Sequence, residues 1–275
     1  SYGLKSSRLT LNNLSGVYKG MEYSGQGVFN FDEEKPMNLS FRIFKGSWND
    51  AKESLYPIFK PIIPYLKNAH FNMESSVLVT GGFDVHEMNV KGDLLATNFL
   101  WFSEDIEKIR TDFTLNDSLL SFNNIRAQKV SGNLFGKGRY NLKDKEYSYE
   151  GSLTSLRLKD VFYYRLLNLG LDGDVFAEFN GYGNDDDFSS RTHFRLINSV
   201  VDSTRLKDSI LTVYNNKDDL FFSTSGLGGE VKMEGFLNLN QKKKKLSSLT
   251  MNVDTDNIRN LAGIISKHNI NKSNL

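Results

Sequence analysis

The side chains that could perform chemistry in this chain are few and scattered. Its four histidines, His70, His86, His193 and His268, include no pair at the i,i+4 spacing of a helical metal site. It has no cysteine, which excludes disulfides, thiol catalysis and cysteine-ligated zinc. Neither a Gly-x-Ser-x-Gly elbow nor a Walker-type phosphate loop occurs. We therefore predict no catalytic residue, no metal site and no cofactor, and we expect the protein not to be an enzyme.

Two runs of like charge are interpreted as solvated turns. Asp185, Asp186 and Asp187 are adjacent, and three neighbouring carboxylates on an extended chain cannot all face one calcium ion, so we expect a hairpin tip there. Residues 242–245 are four consecutive lysines, which favours a charged turn over a contact with acidic lipid headgroups. The formal net charge of +1 gives no overall field to attract nucleic acid, so no such partner is expected. An acid pair assembled by folding stays open, which leaves a glycosidase or lyase on a β scaffold as the enzyme alternative.

The pattern that must position any site is an alternation of apolar and polar residues. In residues 231–239, Val231, Met233, Leu237 and Leu239 occupy one parity, and Lys232 and Glu234 belong to the other, with Phe236 as the exception. A period of two places one face of a strand on apolar surroundings and the other in water. Similar runs occur at residues 27–31, 38–44, 76–90, 138–142, 146–153, 174–182 and 192–197, separated by turn signals. Many such strands predict an antiparallel sheet with one wet side.

An internal echo links three of these runs. Each begins at a glycine, Gly27, Gly138 or Gly235, and continues as Gly-x-(aromatic or Leu)-Asn-(Phe or Leu). The intervals of 111 and 97 residues are too unequal for a solenoid of short period. True repetition and the ordinary recurrence of Gly-led strands both stay open.

Helical patterns are few and short. Residues 103–109 carry Ile106 and Ile109 at helical spacing after a capping serine. Residues 160–169 form a second candidate, which Gly170 would end, and residues 255–268 a third, near the C-terminus. The sheet should therefore be accompanied by two or three short helices.

Residues 47–68 are a helical and proline-rich insertion. Ser47 and Asp50 have the spacing of a capping box, so a helix should begin there. Three prolines follow between residues 57 and 64, each costing about 3 kcal/mol inside a straight helix, so the helix should break near Tyr56. The segment is too short to span a bilayer. We predict that it caps one end of the sheet, with a plug in an apolar groove as the alternative; the residues involved would be Tyr56, Ile58, Phe59, Ile62 and Ile63.

The sequence pattern of successive strands resembles that of a known family. Residues 132–142 read Gly-Asn-Leu-Phe-Gly-Lys-Gly-Arg-Tyr-Asn-Leu and lead to residues 147–153 and 156–160, and residues 89–98 lead in the same way to residues 119–125. Over about residues 80–260 this pattern resembles the repetitive β region of AsmA-like proteins, in particular the TamB (translocation and assembly module) branch. In that family successive strands have the pattern Gly-x-apolar-x-Gly-x-Gly-x-aromatic, and the pattern Asp/Asn-x-x-Leu-x-Phe/Leu marks the next strand.

The resemblance implies a long curled β-sheet with an apolar concave face, anchored at the inner membrane of a Gram-negative envelope. It also implies a part in phospholipid passage to the outer membrane or in outer-membrane protein assembly. Phospholipid acyl chains and outer-membrane assembly proteins would then be the partners, and the location would be periplasmic. The chain begins at Ser1 and has no apolar run long enough for a membrane helix, so we expect a fragment whose anchor lies outside these residues.

We therefore predict a mostly β protein forming a single unit over residues 1–275, an elongated, curled antiparallel sheet with a groove like a folded taco. A closed β-sandwich or barrel uses the same alternation to make its own core, and is the alternative. If the core is closed in this way, the function would be that of a β domain that binds protein. The residues predicted to face lipid are Phe29, Phe31, Tyr140, Leu142, Val231, Met233, Leu237 and Leu239.

Overall fold

A computed structural model describes residues 7–54, 66–84, 86–167, 170–184, 186–201, 204–238 and 248–253. Its strands are β1 (Arg8–Tyr18), β2 (Met21–Asn30), β3 (Met37–Ser47), β4 (His70–Gly81), β5 (Met88–Trp101), β6 (Glu104–Asn116), β7 (Leu119–Lys129), β8 (Gly132–Asn141), β9 (Tyr147–Arg157), β10 (Leu171–Gly183), β11 (Phe188–Val201), β12 (Thr204–Arg205), β13 (Ser209–Asn216), β14 (Asp219–Gly226), β15 (Val231–Asn238) and β16 (Ser248–Val253).

The strands pair in the order in which they follow one another in the chain. The path runs from β1 to β16, and only the short β12 leaves it, by pairing with β11. This is an antiparallel meander of hairpins, which needs no crossover connections. The prediction of a mostly β, antiparallel sheet is confirmed, and among the described strands the sheet is not closed into a barrel.

The described helices are short. α1 (Trp48–Ser54) lies between β3 and β4, and α2 (Phe162–Leu167) lies between β9 and β10, with 3₁₀ turns at Leu158–Asp160 and Leu227–Gly229. α1 begins where the capping box predicts: the Asp50 backbone N–H donates to the Ser47 hydroxyl, and the Asp50 carboxylate accepts from the Ser47 backbone N–H. α2 confirms the helix predicted within residues 160–169.

The chain packs as two compact units. Unit 1 comprises residues 1–130 and 134–149, and unit 2 comprises residues 131–133 and 150–275.

In unit 1, the cross-strand register lines up apolar residues directly opposite one another. One row crosses six strands as Gly27, Leu39, Val79, Val90, Leu115 and Leu120, and the next row on the same face reads Gly25, Phe41, Val77, Gly92, Phe113 and Phe122. The row between them belongs to the opposite face and is largely polar: Gln26, Ser40, Leu78, Lys91 and Thr114.

Unit 2 is built in the same way. One row crosses β10 to β15 as Ala177, Phe194, Leu211, Thr224 and Met233, and another reads Phe179, Thr192, Val213, Phe222 and Gly235. The row between them is polar throughout: Glu178, His193, Thr212, Ser223 and Glu234. Each unit therefore has one mainly apolar face, called the unit 1 face and the unit 2 face, and an opposite, mainly polar face. In unit 2 that opposite face also carries the aromatic row of Tyr214, Phe221 and Phe236. The residue-by-residue alternation of the sequence is the direct cause.

Glycines on the apolar faces lie beneath large side chains of the neighbouring strand. A Cβ added at Gly92 would lie 2.6 Å from the Phe113 ring, and one at Gly235 would lie 2.3 Å from the Phe222 ring. Contacts this short cannot form, so both rings occupy the space that a side chain would fill. Gly27 of the echo motif is covered by Leu39 in the same way, whereas a Cβ at Gly138 would meet nothing nearer than 3.7 Å. Two of the three echo glycines thus share a packing role that the third lacks.

Two sequence predictions are wrong. Residues 103–109 are not helical: Phe102 and Ser103 form a turn with φ of 47° and 66°, and the rest lies in β6. Ile106 and Ile109 have helical spacing, but pairing along the whole length of β5 outweighs that local preference. The run 76–90 is not one strand either. Gly81, at a φ of 108°, ends β4, and a turn that includes His86 leads to β5.

Several predicted features lie outside the described residues. They are the helix at 255–268, the proline-rich stretch with Tyr56, Ile58, Phe59, Ile62 and Ile63, the lysines at 242–245, and Leu239. The turn predicted around Asp186 and Asp187 does lie between β10 and β11, where the Asn184 side chain accepts hydrogen bonds from both backbone N–H groups at 2.9 Å.

Candidate functional site

The centre of the unit 1 face is a packed apolar cluster. Val90, Leu115 and Leu120 are buried there, and Phe113, Phe122 and other half-buried side chains pack around them. Leu142, predicted to face lipid, packs against this cluster from just beyond β8. Tyr140 lies two residues earlier in β8 and is half-buried, so the alternation of the strand assigns it to the same side as Leu142.

One end of the unit 1 face is covered by α1. The Trp48 ring stacks on Phe71 at 5.4 Å, Phe71 stacks on Phe99 at 4.9 Å, and Ala51 is fully buried among them. The indole N–H of Trp48 donates to the carbonyl of Leu66 at 3.1 Å, which ties the end of the insertion to its beginning. The described ends of the insertion thus lie on the apolar side of the sheet, where a cap or a plug was predicted.

An ion pair holds the exposed side of α1. The Lys19 ammonium lies 2.5 Å from a carboxylate oxygen of Glu53, joining the β1–β2 turn to the helix. This hydrogen bond, with the attraction between the charges, lowers the pKa of Glu53 and raises that of Lys19. Both groups are solvent-exposed, so the pair orients α1 more than it stabilises the fold.

The margin of the unit 1 face near Phe29 is exposed. Phe29 opposes Met37 on this face, and Phe31 follows in the β2–β3 loop with its ring 6.1 Å from that of Phe29. Phe83, in the β4–β5 loop, stacks on both. The residues predicted to face lipid include Phe29 and Phe31 but not Phe83, because the stack forms only where pairing of the strands brings the β4–β5 loop beside the β2–β3 loop.

The unit 2 face is less completely buried than the centre of the unit 1 face. Val231 is buried and Met233 is half-buried. Met233 belongs to the first row of this face, and Val231 has the same parity on β15. Leu237 opposes Leu220 and is 43% exposed, and Leu249, opposite Gly235, is 67% exposed. Val231, Met233 and Leu237 have the same parity on β15, so alternation places them on one side of the sheet, where Leu237 is open to solvent. That this side faces lipid stays a prediction.

The polar face of unit 1 contains a charged depression of about 510 Å³, lined by Arg42, Glu74, Asp93, Arg110, Asp112 and Arg126 among others. Arginines and carboxylates are interspersed there, so the depression has little net charge. Asp93 and Asp112 are directly opposite each other on β5 and β6, and the Asn124 amide donates to Asp112 at 2.9 Å. The fold therefore brings together a carboxylate pair that sequence spacing alone could not identify.

Two histidines reach hydroxyl groups on neighbouring elements. His86 Nδ1 lies 2.7 Å from the Ser118 hydroxyl, and His193 Nδ1 lies 3.0 Å from the Thr212 hydroxyl. The Asp84 carboxylate next to His86 accepts from the His86 backbone N–H. In a serine–histidine–aspartate triad the carboxylate accepts from the imidazole, whereas this hydrogen bond of Asp84 comes from the backbone. Among the described residues, no three acidic or histidine side chains converge on a point that a metal ion could occupy.

The comparisons with known proteins add no relative. No protein-family model matches the chain, and no characterised protein or solved structure is significantly similar to it. Within the described part of the chain, no helix combines the length and the hydropathy needed to cross a membrane.

Proposed function

We propose that this protein is a non-catalytic scaffold of the Gram-negative cell envelope whose apolar sheet faces bind phospholipid acyl chains. In that role it would serve phospholipid transport to the outer membrane or the assembly of proteins there. The observation that carries the proposal is the pair of rows on each unit that are mainly apolar from strand to strand, while the row between them is mainly polar.

Partial exposure of the unit 2 face supports binding over mere burial. Leu237 and Leu249 expose 43% and 67% of their surface, which a side chain buried in a closed core would not. Each methylene that an acyl chain removes from water on such a surface contributes about 0.8 kcal/mol. A few half-exposed rows are therefore enough to hold an acyl chain against the cost of ordering it.

The opposite faces suit an aqueous compartment. In unit 2 the intervening row of Glu178, His193, Thr212, Ser223 and Glu234 hydrogen-bonds readily with water. A periplasmic location, with an inner-membrane anchor outside these residues, rests on the family resemblance. In the protein as it occurs in the cell, alkaline phosphatase fused directly after the residue numbered Leu275 here should be active, and an inactive, stable fusion would contradict this location.

A charge placed on the unit 2 face tests the proposal. Leu237→Asp should weaken binding of a fluorescent acyl-chain probe to the purified protein at least about tenfold, because a carboxylate on an apolar surface must be desolvated when the chain binds. Leu237 is already 43% exposed, so the fold should survive. Lys232→Asp, on the polar face of the same strand, is the matched control and should leave probe affinity unchanged.

The competing interpretation is a β domain that binds protein and keeps these side chains as its own core. It would be favoured if the wild-type protein failed to bind the acyl probe, or if Leu237→Asp and Lys232→Asp behaved alike.

A glycosidase or lyase is the second candidate, favoured by the Asp93–Asp112 pair in the charged depression. Directly opposed residues place their Cβ atoms about 5 Å apart, which allows the two carboxyl groups to adopt the separation of about 5 Å that retaining glycosidases use. Hydrolysis or cleavage of envelope polysaccharides that Asp112→Asn abolishes would support this candidate. We rank it lower because Asp112 already accepts from Asn124.

A further inference from the structure

Three phenylalanine rings form an exposed stack at the margin of the unit 1 face. Phe29, Phe31 and Phe83, called the Phe tip, have ring centroids 6.1 to 6.3 Å apart and interplanar angles of 9° to 17°. Phe31 and Phe83 are 54% and 59% exposed. Large exposed aromatic clusters of this kind mark surfaces that meet a partner.

The Phe tip is surrounded by negative charge. The β2–β3 loop carries three exposed carboxylates and the β4–β5 loop carries two, whereas the first loop has one lysine and the second has none. Arg8 of β1, opposite Asn30, is a second cation at this margin. Acids therefore outnumber bases, and the aromatic surface has a negative rim, formed by Asp32, Glu33, Glu34, Asp84 and Glu87.

Hydrogen bonds fix the loop that carries Phe83. The Gly82 N–H donates to the Glu87 carbonyl at 3.2 Å, and the Glu87 N–H donates to the Asp84 carbonyl at 2.9 Å. The Asp84 carboxylate accepts from the His86 N–H at 2.8 Å, which closes the turn locally. Phe83 is thus held outward by a turn that is already formed.

The loop that carries Phe31 is fixed as well. The Phe31 N–H donates to the Ser7 carbonyl at 2.7 Å, and the Asn30 N–H donates to the Pro36 carbonyl at 2.8 Å. The Asn30 side chain also donates to the Glu33 carboxylate. A preformed surface avoids the entropy cost of ordering two loops on binding.

We propose that the Phe tip docks a cationic protein segment with an apolar anchor. An apolar side chain of the partner would pack between Phe31 and Phe83, and lysines or arginines on either side of it would meet the carboxylate rim. Charge complementarity selects this occupant: the rim attracts a cationic segment and repels an anionic membrane surface. The interaction goes beyond acyl-chain binding by the sheet faces, and its test is independent of the Leu237 test, since the strands of unit 2 take no part.

Binding of a defined peptide tests the proposal. A fluorescein-labelled peptide with a leucine core and lysines at both ends is titrated with the protein, and fluorescence anisotropy reports the Kd. Phe31→Ser combined with Phe83→Ser should raise the Kd at least about tenfold, since aromatic anchors dominate binding energy. Phe102→Ser, which changes an exposed phenylalanine in the β5–β6 turn, is the matched control and should leave the Kd unchanged.

The carboxylate rim is tested separately. Asp32→Asn combined with Glu34→Gln should weaken peptide binding about threefold or more and flatten its dependence on salt. Asp105→Asn combined with Glu107→Gln removes two exposed acids of β6 as the control and should have no effect. Circular dichroism and thermal unfolding establish that each variant is folded, and Phe83→Ser alone replaces the double variant if that one fails.

Four outcomes would overturn the proposal. They are no binding of the lysine peptide to the wild-type protein, equal binding of a matched peptide with glutamates at its ends, equal Kd values for the tip variants and the wild type, and a preference of the Phe tip for phosphatidylglycerol vesicles over the peptide. None of them bears on acyl-chain binding by the unit 2 face, so the two proposals fail independently.

Discussion

At the level of single residues, the opposed carboxylates of Asp93 and Asp112 are the least expected feature. Both are exposed on the polar face of unit 1, and like charges directly across a strand pair are destabilising. A site of this kind either serves chemistry or is tolerated because water screens it. The arginines around it, Arg42 and Arg110 among them, reduce the repulsion.

Substitution of Asp93 measures how strongly the two carboxylates repel each other. Asp93→Asn should increase the free energy of unfolding by about 0.2–1 kcal/mol, because it removes the repulsion and adds a donor facing Asp112. Urea denaturation followed by circular dichroism measures this change. Glu107→Gln, an exposed acid on β6, is the control and should change stability by less. A loss of stability in Asp93→Asn would show that the carboxylate is held by interactions that favour its charge.

Tyr164 gives a prediction for pH dependence. Its hydroxyl donates to the Leu171 carbonyl at 2.6 Å, and burial raises its pKa above the ordinary 10.0. Because the neutral form is favoured in the folded state, this contribution is full below pH 10 and is lost as pH rises through the folded-state pKa. Tyr164→Phe should therefore cost about 1 kcal/mol at neutral pH, a difference that shrinks at high pH. A difference in urea stability that grew above pH 10 would contradict this.

At the level of elements, the glycines of the strands explain how large rings fit on the apolar faces. Gly92→Ala should lower the free energy of unfolding by about 1–3 kcal/mol, because the new Cβ would meet the Phe113 ring and the Ser76 carbonyl. Gly138→Ala is the matched control: its Cβ has room, so the substitution should be neutral or slightly stabilising. Thermal and urea unfolding measure both variants, and equal losses would mean that backbone conformation, not ring packing, decides.

The strands could be predicted because alternation is local. The alternation around Val231 and Met233 predicts that these two residues share one side of a strand, as they do in β15. The spacing of Ser47 and Asp50 likewise predicted where α1 begins. Ile106 and Ile109 were misassigned to a helix because the partner that makes them a strand, β5, is selected by tertiary pairing. The Phe83 stack and the Asp93–Asp112 pair could not be predicted, since each depends on which strands become neighbours and in which register.

At the level of the whole molecule, the account depends on one property: the apolar and polar faces extend from strand to strand without changing sides. The named rows of unit 1 stay mainly apolar across six strands and those of unit 2 across five, with Thr192 and Thr224 as the polar members in unit 2. A one-residue shift in a single register would reverse the faces of that strand and break the surface. We take this persistence as the reason to propose a surface that binds acyl chains rather than a set of unrelated strands.

Site-specific photo-crosslinking in cells tests this claim most directly. A photoreactive side chain is placed at Leu237 on the unit 2 face, and in a second strain at Glu234 on the polar face of the same strand. After irradiation, the purified protein is analysed by mass spectrometry for covalently attached phospholipid. We predict phospholipid adducts at position 237 and none at position 234. A folded protein with no adduct at position 237, or with equal adducts at both positions, would contradict the account.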